Sequence, residues 1–260
     1  MSEKEITLFS IKKKAKRYEV GIQDGNQKFF FKISEDLLIE CHLLSYKKLS
    51  EVEYLTFLNK IPLDSLVFEG LKYLNKKSYS EKELFDHLYH LSPSKDLVDS
   101  AISILKNKGL VDDSAFLKNY LDYAMNVKKE GRKKILLQMS LYGLSNQSFF
   151  YPEDILRENV IFLTKKYNEQ TKNLPKKMKI DRCKAFLIGK GYSEEDLEHY
   201  FDFRLISADD EIKMIQKDYR KLSSKFKNDY SKIQSNLLRK GYSSYSISKV
   251  LGGYADDSTS

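Results

Sequence analysis

The sequence predicts a mainly α-helical protein: tandem three-helix repeats forming a curved, elongated rod, preceded by a small N-terminal β-meander with helices. Three observations predict it. From residue 64 onward apolar residues recur with the 3.6-residue period of a helix. Before that point they alternate with period two, as in strands that bury one face. A short phrase also recurs: Leu-Tyr-His-Leu-Ser at 88–92, Leu-Tyr-Gly-Leu-Ser at 141–145, Gly-Lys-Gly-Tyr-Ser at 189–193 and Arg-Lys-Gly-Tyr-Ser at 239–243. Its matching residues, His90, Gly143, Gly191 and Gly241, are spaced by 53, 48 and 50 positions. A period of this size marks stacked supersecondary units, each too small to bury a core alone.

The expected divisions are an N-terminal three-stranded region over residues 1–62, repeats over 63–111, 112–158, 159–206 and 207–255, and a disordered tail over 256–260. In the first region Ile6 and Leu8, then Tyr18, Val20 and Ile22, then Phe29, Phe31 and Ile33 define the strands. Asp24-Gly25-Asn26 makes the second turn, and the basic run Lys12 to Arg17 the first. Ser34 caps a short helix, and Ser50-Glu51-Val52-Glu53 is a capping box. Ile61-Pro62-Leu63 reads as a junction, because the residue before proline avoids helix.

In the repeats, Ser80-Glu81-Lys82-Glu83, Asp112-Asp113-Ser114, Ser193-Glu194-Glu195-Asp196 and Asp209-Asp210-Glu211 open helices, and Pro93 and Pro175 stop them. Leu84, Leu88 and Leu91 point inward on one helix of the first repeat. The glycines of the phrase suit a left-handed residue just past a helix end, and the serine two positions on caps the next helix. The phrase is therefore a joint between helices.

The chain has 45 basic and 37 acidic side chains, a net charge of +8. Neither an apolar leader nor a stretch of the length of a membrane span occurs, so a cytoplasmic protein without membrane contact is expected. Cys41 and Cys183 are read as buried free thiols. Histidines 42, 87, 90 and 199 make no metal-ligand pattern, and no glycine-rich phosphate loop follows a strand. A non-enzymatic protein with no catalytic residues, cofactor or metal is the expectation. The candidate contact residues for a polyanionic partner are basic clusters near helix joints: Lys128, Lys129, Arg132, Lys133 and Lys134; Lys176, Lys177, Lys179 and Arg182; and Lys221, Lys225 and Lys227.

Three stretches carry a resemblance. Leu71-Lys72-Tyr73-Leu74 with Ser78-Tyr79-Ser80-Glu81-Lys82-Glu83-Leu84 is one. Leu105 with Gly109-Leu110-Val111-Asp112-Asp113-Ser114-Ala115-Phe116 is the second. Gly131-Arg132-Lys133-Lys134-Ile135 with Leu141 and Gly143-Leu144 is the third. Together they resemble the RecX family, regulators of the RecA recombinase, in the long form of Gram-positive bacteria. The chain departs from the family pattern at Gly70, Lys76-Lys77 and Ser92-Pro93. The resemblance implies a monomer that binds RecA filaments on single-stranded DNA, and single- and double-stranded DNA alone more weakly. It also implies restraint of recombination, ATP hydrolysis and repressor cleavage in the SOS response and DNA repair. A helix-turn-helix-like protein that binds nucleic acid directly is the alternative reading.

Overall fold

The structure, a computed structural model, describes residues 5–45, 47–208 and 211–256, with the backbone alone over 253–256. The chain divides into two compact units, residues 1–118 with 142–144 and residues 119–141 with 145–260. The division falls inside the stretch expected as the second repeat.

The first unit begins with β1 (Ile6–Lys14), β2 (Arg17–Asp24) and β3 (Gln27–Ile33), followed by α1 (Glu35–Glu40) and β4 (Lys47–Leu49). All pairings are antiparallel and the order is β3-β2-β1-β4. The alternation read from sequence sets the register: Ile6, Leu8, Val20 and Ile22 are buried against Leu37, Leu38, Tyr54 and Phe57. The fourth strand corrects the three-stranded expectation. It is three residues long and two of them are lysines, so it carries no periodic signal; Leu49 enters the core opposite Ile6. Ser34 and Ser50 cap α1 and α2 as expected, the second with a full capping box to Glu53.

Helix α2 (Glu51–Leu74) overturns the junction expected at Pro62, because it runs straight through the proline. A proline inside a helix forfeits a hydrogen bond and crowds the preceding turn, at roughly 3 kcal/mol. Burial on both sides offsets that cost. Tyr54, Phe57 and their neighbours fill the sheet core, while Leu63, Leu66 and Val67 fill a second core with α3 (Glu81–Leu91) and α4 (Lys95–Asn107). Replacing Pro62→Ala restores the missing donor, and should raise stability in urea unfolding by about 1–3 kcal/mol. Asp64, two residues on, ties the sheet to this helix. It accepts Arg17 Nη2 at 2.7 Å, the Ser34 N–H at 3.1 Å and the Ser34 hydroxyl. Arg17 is thereby withdrawn from the basic run at the first turn.

The three-helix core of this unit holds Leu84, Leu88, Val98, Ala101 and Leu105. Leu91, expected inward, lies at the helix end and is exposed. Gly70 lets α2 approach α4, since a Cβ there would stand 2.6 Å from Leu105 Cδ1. His87 is half-buried and stacks on Tyr73 at 3.9 Å.

The second unit continues from α5 (Asp113–Asp122), whose start belongs to the first unit, into a π-helical turn at Tyr123–Val127. Then come α6 (Arg132–Leu141), α7 (Glu153–Gln170), α8 (Lys176–Gly189) and α9 (Glu194–Tyr200). A 3-10 turn at Phe203–Leu205 leads to α10 (Glu211–Phe226), α11 (Tyr230–Arg239) and α12 (Ser244–Asp256). Helix α7 is continuous across the boundary placed at 158/159. Asp209 and Asp210 lie outside the described residues, as do residues 257–260 of the expected tail; Asp256, its first residue, still belongs to α12. Cys183 is buried and its thiol is pushed up to about 11 by burial; Cys41 is only half-buried. Among the described residues no helix is long and apolar enough to cross a membrane.

Candidate functional site

The joints expected from the repeated phrase form at the third and fourth copies. Gly191 and Gly241 have φ of +96° and +88°, and the following residue donates to a carbonyl five positions back, Tyr192 to Leu187 and Tyr242 to Leu237. Ser193 caps α9, and Ser243 Oγ accepts the Ser246 N–H. The first copy does not make the joint. Helix α3 runs through His90, and Ser92 is extended ahead of Pro93. At the second copy Gly143 is left-handed, but Ser145 caps nothing, and α7 begins only after Pro152.

What the joints hold is the start of an earlier helix. The Gly131 N–H donates to the Lys190 carbonyl at 2.9 Å, and the Lys133 N–H to the Gly191 carbonyl at 3.0 Å. The backbones are so close that a Cβ on Gly131 would lie 2.3 Å from Gly191 C. The loop before α6 is fixed from behind. Tyr192 Oη donates to the Lys129 carbonyl at 3.0 Å, and Tyr151 Oη to the Glu130 carbonyl at 3.1 Å. Asn159 Nδ2 donates to the Met125 carbonyl, exposed by the π-helical turn, at 2.8 Å. Burial raises the Tyr151 and Tyr192 hydroxyls above the ordinary tyrosine range, so both stay protonated donors.

Helix α8 is held in the same way. Glu211, fully buried, accepts the Lys176 N–H at 2.6 Å through Oε1 and the Ser243 hydroxyl at 2.7 Å through Oε2. Gly241 packs against Met178, Lys177 and Pro175. The first unit contains a counterpart, in which Asp113 Oδ1 accepts the Glu81 N–H at 2.8 Å and Gly143 packs on Lys82. Asp112 caps its own helix as expected, accepting the Ser114 and Ala115 N–H groups. Asp113 reaches instead to the start of an earlier helix. Sequence reasoning missed this role for Asp113 and Glu211, since both read as ordinary helix-start acids. A further shared feature precedes the middle helices of the second unit: a left-handed residue, Lys129 before α6, Asn173 before α8 and Lys227 before α11.

The candidate basic residues fall into three kinds. Lys128, Arg132 and Lys133 are exposed around the start of α6, as are Lys177 and Arg182 on α8 and Lys221, Lys225 and Lys227 on and just after α10. Lys129, Lys134 and Lys176 are half-buried. Lys129 Nζ donates to Asn159 Oδ1 at 2.8 Å, Lys134 Nζ pairs with Glu130 at 3.1 Å, and Lys176 lies beside the Glu211 clip. Lys179 is a correction: it is 2% exposed, turned inward on α8, and offers no surface for a macromolecular partner. Helices α6 and α8 have no acidic residue in the first turn, whereas α2, α3 and α9 open on carboxylates. Positive side chains at the positive end of a helix dipole are repelled by it. At α8 the Glu211 carboxylate on the Lys176 N–H offsets this, and at α6 the Lys190 and Gly191 carbonyls accept the Gly131 and Lys133 N–H groups.

No family model matches the chain. It is similar to the regulatory protein RecX of Streptococcus mutans, 25% identical over 95% of this chain and 99% of that one. It is also similar to the regulatory protein RecX of Listeria welshimeri, 25% identical over 95% of each chain. A crystal structure of a regulatory protein RecX shares its fold, with a TM-score of 0.59 at 18% identity over 75% of this chain and 98% of that one. The chain is thus similar over nearly its full length to several proteins named regulatory protein RecX, and it shares its fold with a solved one.

Proposed function

We propose that the protein regulates the RecA recombinase by binding RecA filaments on single-stranded DNA, and that it restrains strand exchange, ATP hydrolysis and repressor cleavage. Its relatives are named regulatory proteins, which supports a regulatory role without chemistry of its own. The observation that carries the reading is the set of exposed basic side chains around the start of α6 and on α8, Lys128, Arg132, Lys133, Lys177 and Arg182. Both helix starts are clamped by backbone hydrogen bonds or a buried carboxylate, so the charges are displayed on rigid mounts. A filament built on a polyanion supplies regularly repeated negative charge to meet them.

The test is to add the purified protein to RecA assembled on single-stranded DNA and follow ATP hydrolysis and strand exchange. Inhibition at concentrations up to stoichiometric with RecA is expected, and no effect on either activity would overturn the reading. The exposed residues give a sharper form. Exposed charge contacts contribute about 0.5 kcal/mol each, so Lys128→Gln, Arg132→Gln and Lys133→Gln together should weaken inhibition roughly tenfold. Thermal melting should show the fold unchanged. The alternative, direct reading of nucleic acid, predicts tight and steeply salt-dependent binding to naked duplex DNA instead.

A further inference from the structure

Among the described residues of the first unit, no element packs on the outer face of the N-terminal sheet. Its inner face is buried by α1 and α2, and its outer side carries Lys12, Glu19, Gly21, Lys28, Phe30 and Lys32. The register puts these side chains together. Ser10, Gly21 and Phe30 stand in one cross-strand row, Lys12, Glu19 and Lys32 in the next, and Gln23 with Lys28 on the other side. Phe30 is 59% exposed. Beside it lies Phe9, the extra residue of a bulge between Leu8 and Ser10, with its ring 5.6 Å from Phe30 and edge-on to it.

Gly21 makes this arrangement possible. A Cβ there would stand 2.8 Å from Phe9 Cζ and 3.2 Å from Phe30 Cε1, so the bare glycine makes room for both rings. Around them the charge is positive. Lys28 Nζ is 5.2 Å from the Phe9 ring centre, and Lys12 and Lys32 are exposed in the next row. The one carboxylate of that row, Glu19, has Lys14 4.0 Å away. The lysine-rich first turn continues the positive rim beyond the sheet end.

An exposed phenylalanine backed by a half-buried one and rimmed by lysines matches the two demands of an unpaired nucleic-acid strand. The exposed ring offers a stacking surface to a base, and the lysines meet the phosphates on either side. A duplex keeps its bases stacked inside and cannot use the ring. We infer that the outer face of the β1–β3 sheet is a binding platform for single-stranded nucleic acid, with Phe30, braced edge-on by Phe9, as the stacking surface and Lys12, Lys28 and Lys32 as phosphate contacts. This site lies in the first unit, whereas every candidate basic cluster of the proposed filament contact lies in the second. It stands whether or not the protein acts on RecA.

The chain contains no tryptophan, which makes a direct test possible. Phe30→Trp in the full chain places a single indole on the platform. Titration with an oligothymidylate should quench its emission saturably, because a base stacks on it, while a duplex at equal phosphate concentration should leave it nearly unchanged. In the same background, Lys28→Gln with Lys32→Gln should reduce the slope of log affinity against log salt by about 1.4. Phe30→Ala in the otherwise natural chain should weaken binding of the single strand roughly 5- to 150-fold and spare the duplex. The inference is overturned if the indole emission stays constant while the oligonucleotide's own anisotropy shows saturation, if the duplex quenches as strongly, or if the single strand does not bind.

Discussion

Gly131→Ala should destabilise the second unit by about 3 kcal/mol or more, although it adds only one methyl group. The added Cβ would lie 2.3 Å from Gly191 C and from Tyr192 N, and both are backbone atoms that no rotamer change can move aside. Helix α6 must retreat from the joint. It then loses the hydrogen bonds from the Gly131 and Lys133 N–H groups to the Lys190 and Gly191 carbonyls. The control is Gly189→Ala, in the last turn of α8, where a Cβ meets nothing within 4 Å. There the same change should stabilise by about 0.5–1 kcal/mol through a less flexible unfolded chain. Urea unfolding of both variants checks the opposite signs. Because Arg132 and Lys133 ride on the displaced helix start, Gly131→Ala should also weaken any activity that depends on them.

Glu211→Ala should cost about 3 kcal/mol, since it leaves the Lys176 N–H and the Ser243 hydroxyl without their buried acceptor. The same carboxylate gives the protein an acid-sensitive point. Burial pushes the Glu211 carboxyl up, but the Ser243 hydroxyl, the Lys176 N–H, Ser246 and the Ser243 N–H together hold it below its ordinary value of 4.5. A carboxyl lowered on folding adds stability that is fully present above that ordinary value and is lost as pH falls through the lower folded value. Acid unfolding of the natural chain should therefore include a component below about pH 4.5 that Glu211→Gln removes. The variant should be less stable at neutral pH, because its amide offers one acceptor oxygen where two are used.

The parts of this architecture that depend on local chemistry were readable in the residues. Capping boxes at Ser50, Ser80 and Ser193 form as the spacing of serine and acid indicates. Alternation placed Val20 and Ile22 inward, because a strand has only two faces. The misses share one cause, tertiary contact prevailing over local preference. Pro62 stays helical because one helix serves two cores. Strand β4 exists because Leu49 completes a sheet edge, not because its own residues favour it. Ser145 and Ser193 sit in matching phrases, yet only Ser193 has a helix to cap. The candidate site was legible as charge but not as surface. Sequence gives Lys133 and Lys179 the same weight, and only packing turns Lys179 inward. The carboxylate clips at Asp113 and Glu211 were the least accessible, since each acts on a helix start more than thirty residues earlier.

Cross-linking mass spectrometry on the protein bound to RecA assembled on single-stranded DNA tests the central claim most directly. The protein should be recovered with the filament, and cross-links to RecA should form from the exposed lysines at the two clamped helix starts, Lys128, Lys133 and Lys177. Failure to sediment with the filament, or a cross-link map in which these lysines react as they do in the free protein, would contradict the claim.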